Sequence, residues 1–175
     1  MTAELTGTCL TLGDDRPAIR FSRAYDQSVE QVWRFVTEPD RTDHWFPSRL
    51  RMELRPGGTA HFSGDPHQAD DTGTVLDADP PRHLSFTWGG DELHLDLEAL
   101  DTGRSRLTLT NILGAANAAA RNAAGWEVCL LALDAVARGE RHGGPHSADA
   151  ADWHHYYRAY LDAGFPSGAP VPDPG

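Results

Sequence analysis

The chain contains no lysine: all 15 of its basic residues are arginine. That excludes chemistry resting on a lysine amine, whether Schiff-base formation or the lysine of a phosphate-binding loop. Positive charge is scarce as well. Against 26 acidic residues the formal charge is −11, with an isoelectric point near 5.1. Such a surface does not track a phosphate backbone, so no nucleic-acid partner is expected. The only cysteines are Cys9 and Cys129. Two so far apart make neither a disulfide framework nor a zinc motif, and they point to a reducing compartment. No apolar run approaches the roughly 18–20 residues of a membrane span. Met1–Leu12 has neither the basic nor the apolar region of a signal peptide. The expectation is a cytoplasmic protein without a membrane partner. Histidine, by contrast, is plentiful: nine residues could alter the charge below neutral pH.

A length of 175 residues suits one domain with a core that needs no staples. Leu5–Leu12 and Pro17–Tyr25 read as a hairpin around Gly13-Asp14-Asp15. From Ser28 the period becomes helical. Val29, Val32, Trp33 and Val36 form one stripe, and Ser28 with Gln31 fits a capping box. Pro39 suits the first turn of a second short helix over Glu38–Trp45, stopped by Pro47. A run of about six strands follows, at hairpin spacing. Leu50, Met52 and Leu54 alternate with charged residues; Thr59–Ser63 returns after Pro56-Gly57-Gly58; a polar loop, Gly64–Asp71, precedes Thr72–Ala78. Leu84, Phe86 and Trp88 alternate on the next strand, then Leu93, Leu95 and Leu97, then Leu107, Leu109 and Asn111.

The remainder reads as helix. Trp126, Leu130, Leu133 and Ala137 form an apolar stripe that ends at Gly139, and a linker runs to Pro145. Ser147–Ala163 carries a second stripe of Trp153, Tyr156, Tyr157, Tyr160 and Leu161. Those aromatics are expected to pack on the domain or on a partner chain, which leaves a homodimer open. The pattern predicts an α+β domain over 1–145, an appended helix over 146–165 and a disordered tail over 166–175. A one-sided antiparallel sheet needs a cover, and only the Trp126 helix is long and apolar enough to provide it.

The order and spacing of several short segments resemble the START-like, birch-pollen-allergen-like superfamily (SRPBCC), and within it the branch named after the activator of the heat-shock protein 90 ATPase. The carriers are Arg23-Ala24-Tyr25-Asp26 with Val32-Trp33, Thr37-Glu38-Pro39-Asp40-Arg41 with Trp45-Phe46, and Pro56-Gly57-Gly58. Further on come Pro80-Pro81-Arg82-His83-Leu84 with Phe86-Thr87-Trp88, Arg106-Leu107-Thr108-Leu109-Thr110, and Gly125-Trp126 with Leu130 and Leu133. The resemblance implies a helix-grip fold: a curved antiparallel sheet wrapped on a long C-terminal helix, two short helices after the first strand, and a hydrophobic cavity between sheet and helix. Its roles span lipid and polyketide binding, ring cyclisation, hormone sensing and chaperone assistance, so fold alone does not settle function. Gln27-Ser28 replaces a common Ala-Pro, Ala60 replaces an aromatic, and Asn111 replaces a frequent His. The small Ala60 would widen the cavity.

Strand parity sorts the candidate chemistry. His94, Asp96 and Glu98 alternate with leucines and so belong on the solvent face. His142, His146, His154 and His155 have zinc-ligand chemistry but no accompanying motif. No Gly-x-Ser-x-Gly elbow is present. His67 sits in a loop that would border the cavity entrance. The predicted lining is Ala60, Phe62, Phe86, Trp88, Leu95, Leu109, Asn111, Trp126, Cys129, Leu130 and Leu133, positions that equally suit a filled core. Asn111 would either be satisfied by backbone or orient a ligand oxygen. The leading expectation is a binding protein for a small hydrophobic or aromatic molecule, with no cofactor and no metal. The alternatives are a cyclase or hydratase acting on a polyketide-like substrate, with Arg23 and Tyr25 as further inward polar groups, and a co-chaperone of a heat-shock ATPase in a stress response. The last rests on the resemblance alone.

Overall fold

The computed structural model describes residues 3–171. Eight strands form one antiparallel sheet in the order β1-β2-β8-β7-β6-β5-β4-β3. They are β1 (Thr8–Leu12), β2 (Arg16–Tyr25), β3 (Arg49–Met52), β4 (Thr59–Ser63), β5 (Asp71–Asp79), β6 (His83–Trp88), β7 (Asp91–Asp101) and β8 (Arg104–Ile112). β3 to β8 follow as successive hairpins, and the first long strand, β2, closes beside the last. Register shifts at Val75/Asp77 and Ala99/Asp101 mark irregularities of the kind that sharpens twist. The sheet is curved and open, and the architecture is the α+β helix-grip fold.

Parity places the inward residues as the sequence predicts. Ile19, Phe21, Leu84, Phe86, Leu93, Leu95, Leu107 and Leu109 are all buried. Against them lies α3 (Ala119–Ala137), preceded by a 3-10 turn, Ala116–Ala118. α3 is buried nearly all round, as a helix covered on two sides must be. The sheet covers one side; α4 (Trp153–Asp162) and the N-terminal segment cover the other. α1 (Val29–Thr37) has the expected capping box, with Ser28 and Gln31 bonding reciprocally.

Several boundaries differ from expectation, beginning with the first strand, which starts at Thr8 rather than Leu5. The second short helix, α2, spans only Pro39–Thr42. Beyond it the chain turns so that the Trp45 indole donates to the Phe35 carbonyl inside the core. The C-terminal helix begins at Trp153 rather than Ser147, because the Asp152 carboxylate caps it and accepts from His154 N. Ser147 is instead bonded back to Gly144 in a turn. Within the tail expected to be disordered, 166–171 is tethered. Pro166 O accepts from Ala120 N, Ala169 N donates to Asn117 O, and Pro170 O accepts from Arg121. The first of these satisfies a free N–H at the start of α3, which has no side-chain cap of its own. Residues 172–175 of that tail lie outside the described residues.

Candidate ligand-binding site

A cavity of about 360 Å³ lies beside α3, within the range usual for small-molecule sites. α3 supplies one wall through Arg121, Asn122, Gly125, Trp126, Val128 and Cys129, a face of about two turns. Trp88, the last residue of β6, meets Trp126 at 5.4 Å between ring centroids. The opposite rim comes from irregular chain: Pro47, the loop residues Asp65, His67 and Gln68, and Pro145-His146. Trp153 and His154 bring the start of α4 to the same space. Gly125 matters here. The Trp153 Nε1 lies 3.9 Å from where a Cβ on Gly125 would stand, so a larger side chain would compete with the indole and the cavity for one volume.

The rim is held by imidazoles. His146 Nε2 lies 2.8 Å from Pro47 O and 3.7 Å from Asp65 Oδ1. Its ring meets that of His67 edge-on at 5.5 Å. In the segment that joins α3 to α4, His142 O lies 3.0 Å from His44 Nδ1. Among the described residues, no group of three or more His, Cys, Asp and Glu side chains is gathered for a metal ion. His154 lines the cavity while His155 is exposed. Cys129 is on the wall but almost wholly buried. Burial, with the Asp65 charge as a lesser cause, pushes its thiol far up. It is therefore a neutral thiol near pH 7 and no nucleophile.

The predicted lining residues divide. Trp88, Trp126 and Cys129 stand on the cavity wall. Ala60, Phe62, Phe86, Leu95, Leu109, Leu130 and Leu133 are packed in the core between sheet and helix, none more than 5% exposed. The space expected there is filled by Phe46, whose ring stacks on Phe62 at 6.3 Å and meets Phe86, Trp88 and Trp126 at 5.9–6.3 Å. The opening is displaced to the other flank of Trp126.

Asn111 is fully buried, and its amide is spent within the chain. Nδ2 donates to Asp91 Oδ2 at 3.0 Å; Oδ1 accepts from Trp126 Nε1 and Asn122 Nδ2, each at 3.1 Å. It ties β8 to β7 and to α3 rather than facing a ligand. Arg23 and Tyr25 are committed too. Arg23 lies against Asp134 and Glu127, and the Tyr25 hydroxyl donates to Asp134 Oδ1 at 2.9 Å. Neither lines the cavity. On the outer face, Asp96 is paired with His83, His94 with Glu92 and Glu98 with Arg106, as parity required.

Arg121, Asn122, Trp153, Pro47 and Asp65 were not assigned to the site from sequence. One signal was available for Asn122: it precedes Trp126 by four and Cys129 by seven residues, the spacing of one helix face. The loop residues carry no periodicity, and only folding brings them together.

Residues 26–138, well over half of the chain, match the family model described as "Activator of Hsp90 ATPase homolog 1-like protein". The chain belongs to that family. No curated protein matches it. Among solved structures similar to this family member is a conserved protein of unknown function, EF2215, from Enterococcus faecalis. It is 24% identical, with 90% of this chain and 89% of that one covered and a TM-score of 0.72. The solution structure of CalU16 from Micromonospora echinospora is similar at 25% identity, covering 91% of each chain, with a TM-score of 0.70. The Aha1 dimer from Colwellia psychrerythraea shares the fold at 16% identity, covering 68% and 94%, with a TM-score of 0.56.

Proposed function

We propose that this family member is a cytoplasmic binding protein that holds a small hydrophobic or aromatic molecule in the cavity beside α3. The observation that carries this reading is the wall itself: Trp88, Trp126 and Trp153 converge on one space with Cys129 and Val128. Aromatic side chains bury large areas per residue, so a flat apolar guest gains most where several meet. Among the described residues no helix is long and apolar enough to cross a membrane. A homodimer stays part of this reading: on the aromatic stripe of α4 only Tyr160 is fully buried within the chain, Trp153 stacks on Tyr157 of the same helix, and Leu161 is exposed.

A neutral fluorescent probe, N-phenyl-1-naphthylamine, tests the reading. Its emission should rise on addition of the protein. Gly125→Leu should crowd the cavity and the Trp153 indole and abolish the rise, with unchanged far-ultraviolet circular dichroism as the check that the fold persists. No rise with the natural chain, or an equal rise with the variant, overturns the proposal.

The cyclase or hydratase reading keeps one observation in its favour. His146, close to Asp65 and on the cavity wall, is a candidate proton carrier. Substitution of His146 by Gln should then abolish turnover of a poly-β-ketone substrate while sparing probe binding. Nothing in the site bears on co-chaperone activity.

A further inference from the structure

The cavity wall is polarised: unspent donors stand at the Arg121 end, while Gln68, His67 and the carboxylate of Asp65 belong to the loop across from it. Arg121 lines the cavity, is half-buried, and takes part in no ion pair among the described residues. Acidic residues are plentiful in a chain with a formal charge of −11, yet none of the described ones pairs with this guanidinium. Its orientation is fixed: Nε donates to Asn122 Oδ1 and Nη1 to Pro170 O, both at 3.0 Å. Asn122 is held in turn by Asp91 Oδ2 at 2.9 Å and Asn111 Oδ1 at 3.1 Å. The Asp91 carboxylate is itself occupied by Asn111, Asn122 and Gly114 N. That leaves Nη2 of Arg121 without a partner among the described residues. The indole N–H groups of Trp88 and Trp153 are also without hydrogen-bond partners there, whereas that of Trp126 is spent on Asn111. The carboxylate on the wall, Asp65, lies with His146 at the opposite end from Arg121, near Cys129.

We propose that the guest is a planar aromatic carboxylate, its rings against the indoles of Trp88 and Trp153 and its carboxylate on the open side of the Arg121 guanidinium. The proposal rests on the binding function above and adds its chemical class. Apolar walls alone would accept any flat hydrocarbon. Either guest strips water from a fixed, partly desolvated guanidinium, and only an anionic one replaces that water with a charge-assisted hydrogen bond, so selection follows from the cost of leaving it unpaired.

Calorimetric titration with a matched pair of probes, 2-naphthoate and 2-naphthamide, separates the two ideas. The probes share shape and rings and differ in charge. The acid should bind roughly tenfold or more tightly than the amide. That ratio should fall to about one in Arg121→Gln and persist in Arg121→Lys, which keeps the charge and controls for folding. Asp173 follows Pro170 closely in sequence, so Asp173→Asn serves as a further control and should leave the ratio high. Equal binding of acid and amide by the natural chain overturns the inference and leaves the cavity reading standing. Preference for the acid that survives in Arg121→Gln, or that arises only in Asp173→Asn, overturns the assignment to Arg121. Failure of both probes overturns the inference and the cavity reading together.

Discussion

At the scale of single residues, the structure is decided by buried polar side chains as much as by apolar ones. Asn111 occupies a leucine-like position on β8, yet its amide bonds Asp91, Asn122 and Trp126 at once. Replacing it by leucine keeps the branched shape and strands the Trp126 N–H, while Asp91 keeps Asn122 and Gly114 N. A loss of about 1–3 kcal/mol is expected, the cost of one unsatisfied buried group. Urea unfolding of Asn111→Leu measures it, and a change within error would show that the network is not structural. Gly7 illustrates the opposite limit. A Cβ there would stand 2.6 Å from the Tyr160 hydroxyl and 2.7 Å from the Phe21 ring, so only glycine lets the N-terminal segment approach.

At the scale of elements, α4 is more than an appendage. Its Tyr160 hydroxyl accepts from Gly7 N at 3.0 Å and donates to Glu127 on α3, a carboxylate only 1% exposed. Thr6 donates to the same carboxylate from both backbone and side chain. One buried acid thus joins the N-terminal segment, α3 and α4. The helix also contributes Trp153 and His154 to the cavity. Deleting residues from Ser147 onward should lower the melting temperature and abolish the rise in naphthylamine fluorescence. Retention of both would show that α4 is dispensable to fold and site alike. The milder Tyr160→Phe removes one partner from Glu127 and from Gly7 N. It should cost about 1–3 kcal/mol while leaving the cavity able to bind.

The whole molecule should weaken in alkali. Burial, reinforced by Asp134, raises the Tyr25 phenol well above its ordinary value near 10. Burial and the hydrogen bond to Glu127 raise Tyr160 likewise. A phenol raised by folding stays neutral in the native state while the unfolded chain ionises freely. The stabilisation is therefore complete below about pH 10 and declines as the pH climbs from there toward the native values. Urea midpoints measured from pH 8 to 11.5 should fall above about pH 10, and the fall should be shallower in Tyr160→Phe. A flat profile across that interval would contradict the assignment of both phenols to the buried network.

Much of this was legible in the sequence because local periods encode it. Alternation on β6, β7 and β8 specified which residues face inward, and the Ser28/Gln31 pair marked the start of α1; both follow from geometry that repeats every two or 3.6 residues. The order of strands and one long apolar helix left the helix-grip arrangement as the natural way to cover the sheet. The position of the cavity was not encoded this way. Phe46 fills the space beside Phe62 and Phe86 from a turn whose path no periodicity describes, and Gly125 admits Trp153 from an element 28 residues further along the sequence. Whether Asn111 meets a ligand or its own chain, and whether Arg121 is paired, depends on partners distant in sequence. Hydrophobic parity is a property of each segment by itself, and it determined the core. Packing complementarity and the pairing of buried polar groups belong to segments brought together, so only the tertiary structure decided where the molecule stays open and which polar groups are paired.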